Sequence, residues 1–220
     1  RQTQDLNRRR FLGAAAAAGA VGYFVNPGSV VASNSPNDRL NLACVGATNR
    51  AGKNIAALSS QNIVAIADID SNLLDKGCQP YPAAKKYRDF RVMLEQESEN
   101  IDAVLVATPD HTHAPAAAMA MRMKKHCYCE KPLAHTVKEC RVLAELAVAN
   151  RLKTQMGTQI HAGDNYRRVV EAIQGGLIGD VNEVHVWSNA KYSGGKFSPA
   201  EKPKHVDWDL WLGPAADRPY

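Results

Sequence analysis

The sequence predicts an α/β protein with a doubly wound parallel sheet, followed by the start of a truncated α/β domain with an open antiparallel sheet. Two observations predict the first part. Apolar runs of four to seven residues alternate with helical patterns, and several of these runs end in glycine or a polar residue. The second part rests on an alternating segment at residues 181–188, because such alternation is typical of a strand buried on one face.

The first part of the chain contains short strand patterns separated by helical patterns. We predict strands at Leu40–Gly46, Ile63–Ala67, Ala103–Ala107, His126–Cys129 and Lys153–Met156. The predicted helices are Lys53–Ser60, Ala114–Lys124 and Val137–Ala149, the last with Val137, Leu143, Leu146 and Ala147 available to face a core. Pro80 and Pro82 break any helix within Gln79–Arg88.

The pattern changes after Gly157, and a second domain is predicted to begin near residue 160. An amphipathic helix over Asn165–Gln174 ends at Gly175-Gly176 and is followed by a strand over Val181–Ser188. From residue 189 onward we predict only loop, with Trp208 and Trp211 as anchors. Because one strand cannot form a sheet, we expect the sequence to be a piece of a longer protein at both ends. The predicted divisions are 1–37, 38–158 and 159–220.

Residues 1–37 are predicted to be an export signal and a linker. Arg8-Arg9-Arg10 precede an uncharged, alanine-rich stretch from Phe11 to Val25, and small residues near Ala32 suit cleavage. As a helix this stretch would measure about 22 Å, short of a hydrocarbon core of about 30 Å, so we expect no stable membrane insertion. The consecutive arginines resemble a twin-arginine signal and predict a periplasmic or exported protein. A plain Sec signal or an uncleaved anchor is the alternative.

Charge and cysteine content exclude two classes of protein. The 27 Lys and Arg residues against 22 Asp and Glu give a net charge of +5, of which residues 1–33 contribute +3. The basic character therefore belongs mostly to the tail, and nucleic-acid binding is not predicted. Five cysteines at irregular spacing imply no disulfide framework.

The turn after the first strand carries a partial dinucleotide-binding pattern. In Gly46-Ala47-Thr48-Asn49-Arg50-Ala51, the first glycine of G-x-G-x-x-G/A is present, Thr48 replaces the second, and Ala51 is acceptable at the third position. Thr48 and Arg50 can reach a pyrophosphate through a hydroxyl and a guanidinium. The pattern alone also fits an ordinary strand-to-helix turn.

Asp68 strengthens the dinucleotide interpretation. It lies 22 residues after Gly46, at the end of the second strand, where an acid binds the ribose hydroxyls of adenosine. The predicted cofactor is NAD or NADP, and a carboxylate here favours NAD because it repels a 2′-phosphate. Asp70 is either a second ribose contact or, as we favour, the cap of the next helix.

Two further strand ends add a family resemblance. The third strand runs into Thr108-Pro109-Asp110-His111-Thr112-His113, and the fourth into Glu130-Lys131-Pro132. With the Gly46 turn, these residues resemble the Gfo/Idh/MocA family, the relatives of glucose-fructose oxidoreductase and inositol dehydrogenase. The resemblance covers about residues 40–220 and is densest over 103–157. Met156-Gly157-Thr158-Gln159 and residues 208–214 resemble the exported, twin-arginine members of that family.

This resemblance implies a Rossmann domain followed by a domain whose open sheet forms one wall of the active site and often the oligomer interface. It implies an NAD(P)-dependent oxidoreductase that acts on CH–OH groups of sugar- or cyclitol-like substrates, and a homo-oligomer when full length. The Asp and His that complete the family's acid–base set would lie beyond Tyr220. We therefore expect the chain as given to bind cofactor without turnover.

The resemblance places Glu130 near the nicotinamide ribose and Lys131 near the reacting carbon, where it binds cofactor and substrate and acts as the catalytic residue. Successive strand side chains point to opposite faces, so these two residues should serve different neighbours. A free lysine titrates near about 10.4, so Lys131 needs burial or a neighbouring charge to act as a base near neutrality. As an ammonium it can stabilise an alkoxide. Pro132 makes a cis Lys131–Pro132 bond possible.

Other residues receive roles from the same resemblance. Thr108 and Pro109 correspond to the family's cofactor loop. His113 corresponds to its histidine at the start of the next helix, although it could also cap or pack, and His111 is predicted to be incidental. Gln159 is assigned to the cofactor, and Tyr166 and Arg167 to the substrate.

A metal site is the weaker interpretation of the cysteines and histidines near the fourth strand. The C-x-C spacing of Cys127 and Cys129 is unusual for zinc, and alternation puts both on one strand face, as core residues. We therefore predict no metal ligands.

Two functions remain open from the sequence. The resemblance implies an exported oxidoreductase in a compartment without a free nicotinamide pool, so we expect a tightly held cofactor that a second substrate regenerates. The alternative is a non-catalytic nucleotide-binding module of the same fold. The intact Glu130-Lys131-Pro132 favours the enzyme, and Thr48 in place of glycine favours the module.

Overall fold

The computed structural model describes residues 39–188 and 198–220, so the predicted export signal and residues 189–197 of the predicted loop lie outside the described residues. Six parallel strands form one sheet in the order β3-β2-β1-β4-β5-β6. The strands are β1 (Asn41–Val45), β2 (Asn62–Ala67), β3 (Lys85–Tyr87), β4 (Ala103–Val106), β5 (His126–Glu130) and β6 (Thr154–Gly157). This order confirms the predicted doubly wound parallel sheet.

Seven helices accompany the sheet in the described ranges. They are α1 (Asn49–Ala57), α2 (Ser71–Cys78), α3 (Phe90–Gln96), α4 (His113–Arg122), α5 (Val137–Ala149), α6 (Asp164–Gln174) and α7 (Trp208–Leu212). Across residues 39–188 and 198–220, none of these helices has both the length and the apolar character needed to cross a membrane.

The core consists of two apolar layers, one on each face of the sheet. Ile55 of α1 and Leu74 of α2 pack on one face, while α3, α4 and α5 pack on the other through residues such as Leu94, Ala117 and Leu143. Strands covered on both faces read as continuous apolar runs, which is why the sequence pattern predicted them.

Helix starts follow local capping chemistry. The Asp70 carboxylate accepts from Asn72 N at 2.9 Å and Leu73 N at 3.2 Å, so Asp70 caps α2 as predicted. A capping box between Thr136 and Glu139 begins α5. The prediction that Val137 faces the core is wrong, because it occupies the exposed first turn and is 69% exposed.

Two elements between α2 and β4 were not predicted. The segment with Pro80 and Pro82 forms turns, as expected, and then enters the short strand β3. Lys85 and Lys86 are exposed there, so β3 lacks an apolar signature. Helix α3 follows it, capped by Asp89, whose carboxylate accepts from Arg91 N at 2.8 Å.

After Gly157 the structure confirms one predicted element and corrects two. Helix α6 ends before Gly175-Gly176, as predicted. Residues 181–188 form no strand, because no described strand lies beside them, and Val184 and Val186 are 74% and 90% exposed. The region predicted as loop contains α7, which begins at Trp208.

Candidate functional site

A cleft of about 580 Å³ opens at the carboxyl ends of β1, β2 and β4. In a doubly wound sheet this edge is where ligands bind. Seven of the predicted site residues line the cleft: Gly46, Thr48, Asn49, Arg50, Asp68, Thr108 and Pro109. The sequence prediction therefore located the cleft, although the other predicted residues have different positions.

Gly46 brings the turn after β1 close to the end of β4. Its N–H donates to the Ala67 carbonyl at 2.8 Å, and its φ of +103° lies in the region that glycine alone adopts without strain. A Cβ at this position would lie 2.6 Å from the carbonyl oxygen of Ala107. The backbone approach at this turn therefore requires glycine.

The start of α1 carries positive charge into the cleft. Its N-cap, Thr48, makes no side-chain capping bond, and the first turn contains no acidic residue. Arg50 lies exposed in that turn, and Asn49 adopts a positive φ of 52°, which asparagine tolerates. A helix N-terminus with an adjacent guanidinium favours an anion such as a pyrophosphate.

Asp68 sits beside this turn at the end of β2. Its Oδ2 accepts from Ala47 N at 3.0 Å, and its Oδ1 accepts from Asp70 N at 3.1 Å. Burial raises the pKa of the Asp68 carboxyl, while the two backbone N–H groups act in the opposite direction. Each oxygen keeps a further lone pair, so the carboxylate can accept from ribose hydroxyls in the cleft.

Gln159 reaches the cleft through Arg50. With its amide oxygen turned toward the guanidinium, Gln159 accepts from Arg50 Nη2 at 2.8 Å and from Nε at 3.0 Å. Both side chains are exposed. Gln159 therefore orients the predicted pyrophosphate-binding arginine and does not itself line the cleft.

Glu130 is buried beneath α1. Its Oε1 accepts from Asn54 Nδ2 at 2.7 Å, and a Cβ added at Gly157 would lie 2.7 Å from the same oxygen. The other oxygen, Oε2, is buried without a hydrogen-bond partner among the described residues. A buried acceptor without a donor is unfavourable, so this oxygen is suited to a hydroxyl from a bound molecule.

Lys131 follows the last residue of β5 and is exposed, whereas Glu130 is buried. Within the described ranges it makes no hydrogen bond or ion pair. The Lys131–Pro132 peptide bond is cis, as the sequence allows.

His113 is buried, contacts two loops through its ring nitrogens and does not line the cleft. Its Nδ1 lies 2.7 Å from the Pro132 carbonyl and its Nε2 lies 2.8 Å from the Thr108 carbonyl, which joins the loops after β4 and β5. His111, predicted as incidental, has Nε2 at 2.7 Å from the Trp211 carbonyl and fixes α7.

Tyr166 and Arg167, predicted to bind substrate, lie on α6 and do not line the cleft. The Tyr166 ring contacts His161 at a centroid distance of 4.5 Å. Arg167 lies 3.9 Å from Asp164 in an exposed ion pair.

Cys127 and Cys129 face the apolar layer under α4 and α5, as predicted for core residues. Burial raises the pKa of both thiols to about 12. The described part of the chain contains no group of three or more potential metal ligands.

The sequence did not identify the outer wall of the cleft. Residues 205–207 run antiparallel to the loop after β2, and Trp208 and Trp211 follow on α7, with ring centroids 4.6 Å apart and planes 9° apart. The Arg88 guanidinium fixes this segment by donating to the carbonyls of Ile69 at 2.8 Å and His205 at 3.2 Å. The two tryptophans were predicted only as anchors, and Arg88 carries no sequence signal.

Comparison with known proteins places these features in context. Residues 33–158 match the Gfo/Idh/MocA family model, described as an oxidoreductase family with an NAD-binding Rossmann fold. A glycosyl hydrolase family 109 protein of Shewanella pealeana is 28% identical over 159 residues, which cover 66% of this chain and 34% of that protein. Inositol 2-dehydrogenase 1 of Saccharopolyspora erythraea is 39% identical over 93 residues, covering 41% of this chain and 28% of the relative.

A solved structure shows the same fold. Scyllo-inositol dehydrogenase from Lactobacillus casei, with bound NAD(H) and scyllo-inositol, matches with a TM-score of 0.57 and 23% identity over 64% of this chain and 43% of that one. The chain spans about a third of the length of the curated relatives above.

The described residues fit the dinucleotide that such a fold binds. Gly46 forms the tight turn between β1 and α1, and the start of α1 supplies positive charge at the cleft. Asp68 offers carboxylate oxygens in the cleft, and Oε2 of Glu130 is a second acceptor without a donor among the described residues.

Proposed function

The chain belongs to the Gfo/Idh/MocA family of oxidoreductases with an NAD-binding Rossmann fold, and from this premise we propose that it transfers a hydride between a nicotinamide cofactor and a sugar- or cyclitol-like substrate. When bound, the cofactor supplies the hydride acceptor or donor. The chain's own residues bind and orient it, and handle the substrate proton.

One observation carries the cofactor part of the proposal. The turn at Gly46 approaches the Ala107 carbonyl so closely that no Cβ fits, and Asp68 lies beside it. A glycine turn next to an acid is the arrangement that holds a pyrophosphate and its adjoining ribose. We infer that NAD is preferred to NADP, because a 2′-phosphate would meet the Asp68 carboxylate.

The substrate class is supported by the names of the relatives. One is an inositol dehydrogenase and the other a glycosyl hydrolase, so both names refer to polyhydroxylated rings. Oxidation of such a hydroxyl requires loss of its proton, and reduction of the carbonyl requires its return.

We assign stabilisation of the substrate oxygen to Lys131. In its exposed position the ammonium can donate to a substrate oxygen and stabilise the charge that develops there. Glu130 holds the ribose side through Oε2, while Asn54 fixes the carboxylate from the opposite side. Tyr166 and Arg167 are assigned to the substrate only as a proposal, since neither lines the cleft.

The remaining parts of the proposal concern the whole protein. We propose export through a twin-arginine signal, a second domain with an open antiparallel sheet, and a homo-oligomer. A site with a nanomolar dissociation constant and an association rate of about 10⁶ M⁻¹s⁻¹ would release its cofactor at roughly 10⁻³ s⁻¹. An exported enzyme that retains its cofactor must therefore bind it more tightly than this. Gel filtration of the natural full-length protein, followed by measurement of nicotinamide absorbance, tests whether the cofactor stays bound. Free loss of the cofactor would contradict tight binding.

The proposed reaction is tested with Lys131→Met in the natural full-length protein. We expect turnover of cyclitols or sugars to fall by at least about a hundredfold while NAD binding, measured by calorimetry, is unchanged. Lys138→Met, at a second position outside the cleft, is the control and should leave both quantities unchanged. Full turnover in Lys131→Met would contradict the role of this amine.

A non-catalytic nucleotide-binding module is the second candidate. It is favoured by Thr48 at the second glycine position and by the exposed Lys131, which makes no ion pair among the residues described. This candidate predicts that the natural full-length protein binds NAD but shows no turnover with any cyclitol or sugar.

A further inference from the structure

We propose that Trp208 and Trp211 form the contact surface for the adenine ring of the bound dinucleotide, an inference that rests on the proposed function. These tryptophans lie outside residues 33–158, the part of the chain that the family model covers. The proposal therefore concerns a wall of the site that the family match does not describe.

The position of the wall is set by the order of groups along the cleft. Gly46 marks the pyrophosphate and Asp68 the adenosine ribose, so the adenine must lie beyond Asp68, on the side away from Gly46. Ile69 and Leu73, which follow Asp68 in the chain, line the cleft together with Trp208 and Trp211. The aromatic pair thus lines the same cleft as the residues that follow Asp68, where a base that extends past Asp68 can meet it.

The wall is firmly attached to the ribose-binding loop. Ser71 N donates to the His205 carbonyl at 2.9 Å, and Asp207 N donates to the Ile69 carbonyl at 3.0 Å. On the far side, the ring of His111 holds the Trp211 carbonyl at 2.7 Å. These bonds fix α7 relative to Asp68, so the position of the rings is set before any ligand arrives.

The chemistry of the wall suits a neutral aromatic base. The indole N–H of Trp208 is used by the Arg218 carbonyl at 2.8 Å, so this residue offers its ring rather than its donor. Both tryptophans are only half-buried although their rings are stacked, and Leu210 and Phe90 add apolar surface to the same cleft. A planar base stacks favourably on such rings without specific hydrogen bonds.

The chain offers its own control, since it contains three tryptophans and Trp187 is 81% exposed outside the cleft. We suggest measuring the dissociation constants of NAD and ADP-ribose by calorimetry for Trp211→Leu, Trp211→Phe and Trp187→Leu. ADP-ribose lacks nicotinamide, so contact with adenine predicts an equal loss for both ligands. We expect about a tenfold loss in Trp211→Leu, a smaller loss in Trp211→Phe and none in Trp187→Leu.

A second measurement does not depend on how well Trp211→Leu folds. In a Trp187→Phe background only the two cleft tryptophans emit, and we expect ADP-ribose to quench their fluorescence upon saturation. Quenching together with the paired loss of affinity supports the proposal. Absence of quenching by bound ADP-ribose overturns it.

The remaining outcomes are also decisive. Loss of NAD affinity with unchanged ADP-ribose affinity would move the contact to the nicotinamide end and overturn the assignment. Unchanged or tighter binding in a folded Trp211→Leu variant would mean that the ring is unused or obstructs the cleft, and would overturn it too. If the unaltered chain binds neither ligand, the proposed function fails, whereas the other outcomes leave it standing.

Discussion

Glu130 and Asn54 form a 2.7 Å hydrogen bond that joins the carboxyl end of β5 to α1. The bond uses only Oε1 of the carboxylate, and Oε2 is left buried without a partner in the described part of the chain. Asn54 thus fixes the carboxylate through one oxygen and leaves the other available as an acceptor. The effect of Glu130 on the stability of the fold can therefore be measured separately from its effect on cofactor binding.

Glu130→Gln should weaken cofactor binding without destabilising the fold. The amide oxygen can still accept from Asn54, but the charge-assisted bond to a ribose hydroxyl is lost, at a cost of about 1.5–3 kcal/mol. We expect NAD affinity by calorimetry to fall roughly ten- to hundredfold, with a melting temperature at least equal to that of the unaltered chain.

The pair itself supplies the control for this experiment. Asn54→Asp places two carboxylates in contact and should lower stability, and adding Glu130→Gln to it should restore stability by reversing the donor and acceptor. If Glu130→Gln bound NAD as tightly as the unaltered chain, Oε2 would have no role in the site.

Gly46→Ala should destabilise the chain even without ligand. The alanine Cβ would lie 2.6 Å from the Ala107 carbonyl and the residue would keep a φ of +103°, so we expect a loss of at least about 1–3 kcal/mol in the free energy of unfolding. Urea denaturation measures the change. Gly52→Ala is the matched control, because its Cβ meets its nearest atom at 3.5 Å inside α1 and should leave stability equal or higher. Equal midpoints for the two variants would contradict the close approach.

Asp68→Asn should shift cofactor preference toward NADP. The amide keeps an acceptor oxygen for only one of the backbone N–H groups of Ala47 and Asp70, which donate to different carboxylate oxygens, and it removes the negative charge that opposes a 2′-phosphate. We expect NAD affinity to fall by about tenfold and the NADP-to-NAD affinity ratio to rise. Asp75→Asn, at an exposed position on α2, should leave the ratio unchanged. A constant ratio in Asp68→Asn would show that this carboxylate does not face the ribose.

Glu97 should make the fold sensitive to acid. Its carboxylate is buried and accepts from Lys85 Nζ at 2.7 Å and from the Tyr87 hydroxyl, and these partners hold the pKa of Glu97 below its ordinary value of 4.5. The stabilisation is therefore present above that value and is lost as the pH falls through the lower, folded-state pKa. Glu97→Gln should lower the free energy of unfolding by about 1–3 kcal/mol at pH 7. It should also make the free energy of unfolding less dependent on pH below pH 4.5.

Glu95→Gln, at an exposed position on the same helix, serves as the comparison for that series. Chemical denaturation between neutral pH and the acid range would reveal the difference. Parallel curves for Glu97→Gln and the unaltered chain would mean that the ion pair between Lys85 and the buried Glu97 contributes nothing to the acid response.

The sheet, and the part of the cleft formed by the turns at Gly46 and Asp68, could be predicted because the sequence patterns that indicate them are local. The apolar runs before Gly46 and Asp68 indicate buried parallel strands, and these two residues indicate the turns at the strand ends. Strand β3 escaped prediction because a three-residue edge strand with exposed lysines has no apolar pattern. Its pairing with β2 is determined by tertiary packing.

The rest of the cleft depends on contacts between distant parts of the chain. Arg88 and His205 are separated by 117 residues, and no pattern in either segment indicates their contact.

The alternation at residues 181–188 failed for a related reason, since alternation describes one half of a strand pair and the described residues offer no second half. His113 was placed correctly at a helix start, but its bracing of Thr108 and Pro132 needs both loops in space.

Arg88 and His205 are far apart in the sequence, and the segment that their contact holds should differ from the sheet in how fast its amide hydrogens exchange with solvent. Sheet amides in β1 are held between two neighbouring strands, whereas the amides of Ser71 and Asp207 depend on one docked segment at the surface. Such attachments open locally at a smaller free-energy cost than the sheet. The tryptophan wall should therefore exchange its amide hydrogens with deuterium well before the strands do, and a bound nucleotide should slow that exchange most at Ser71 and Asp207.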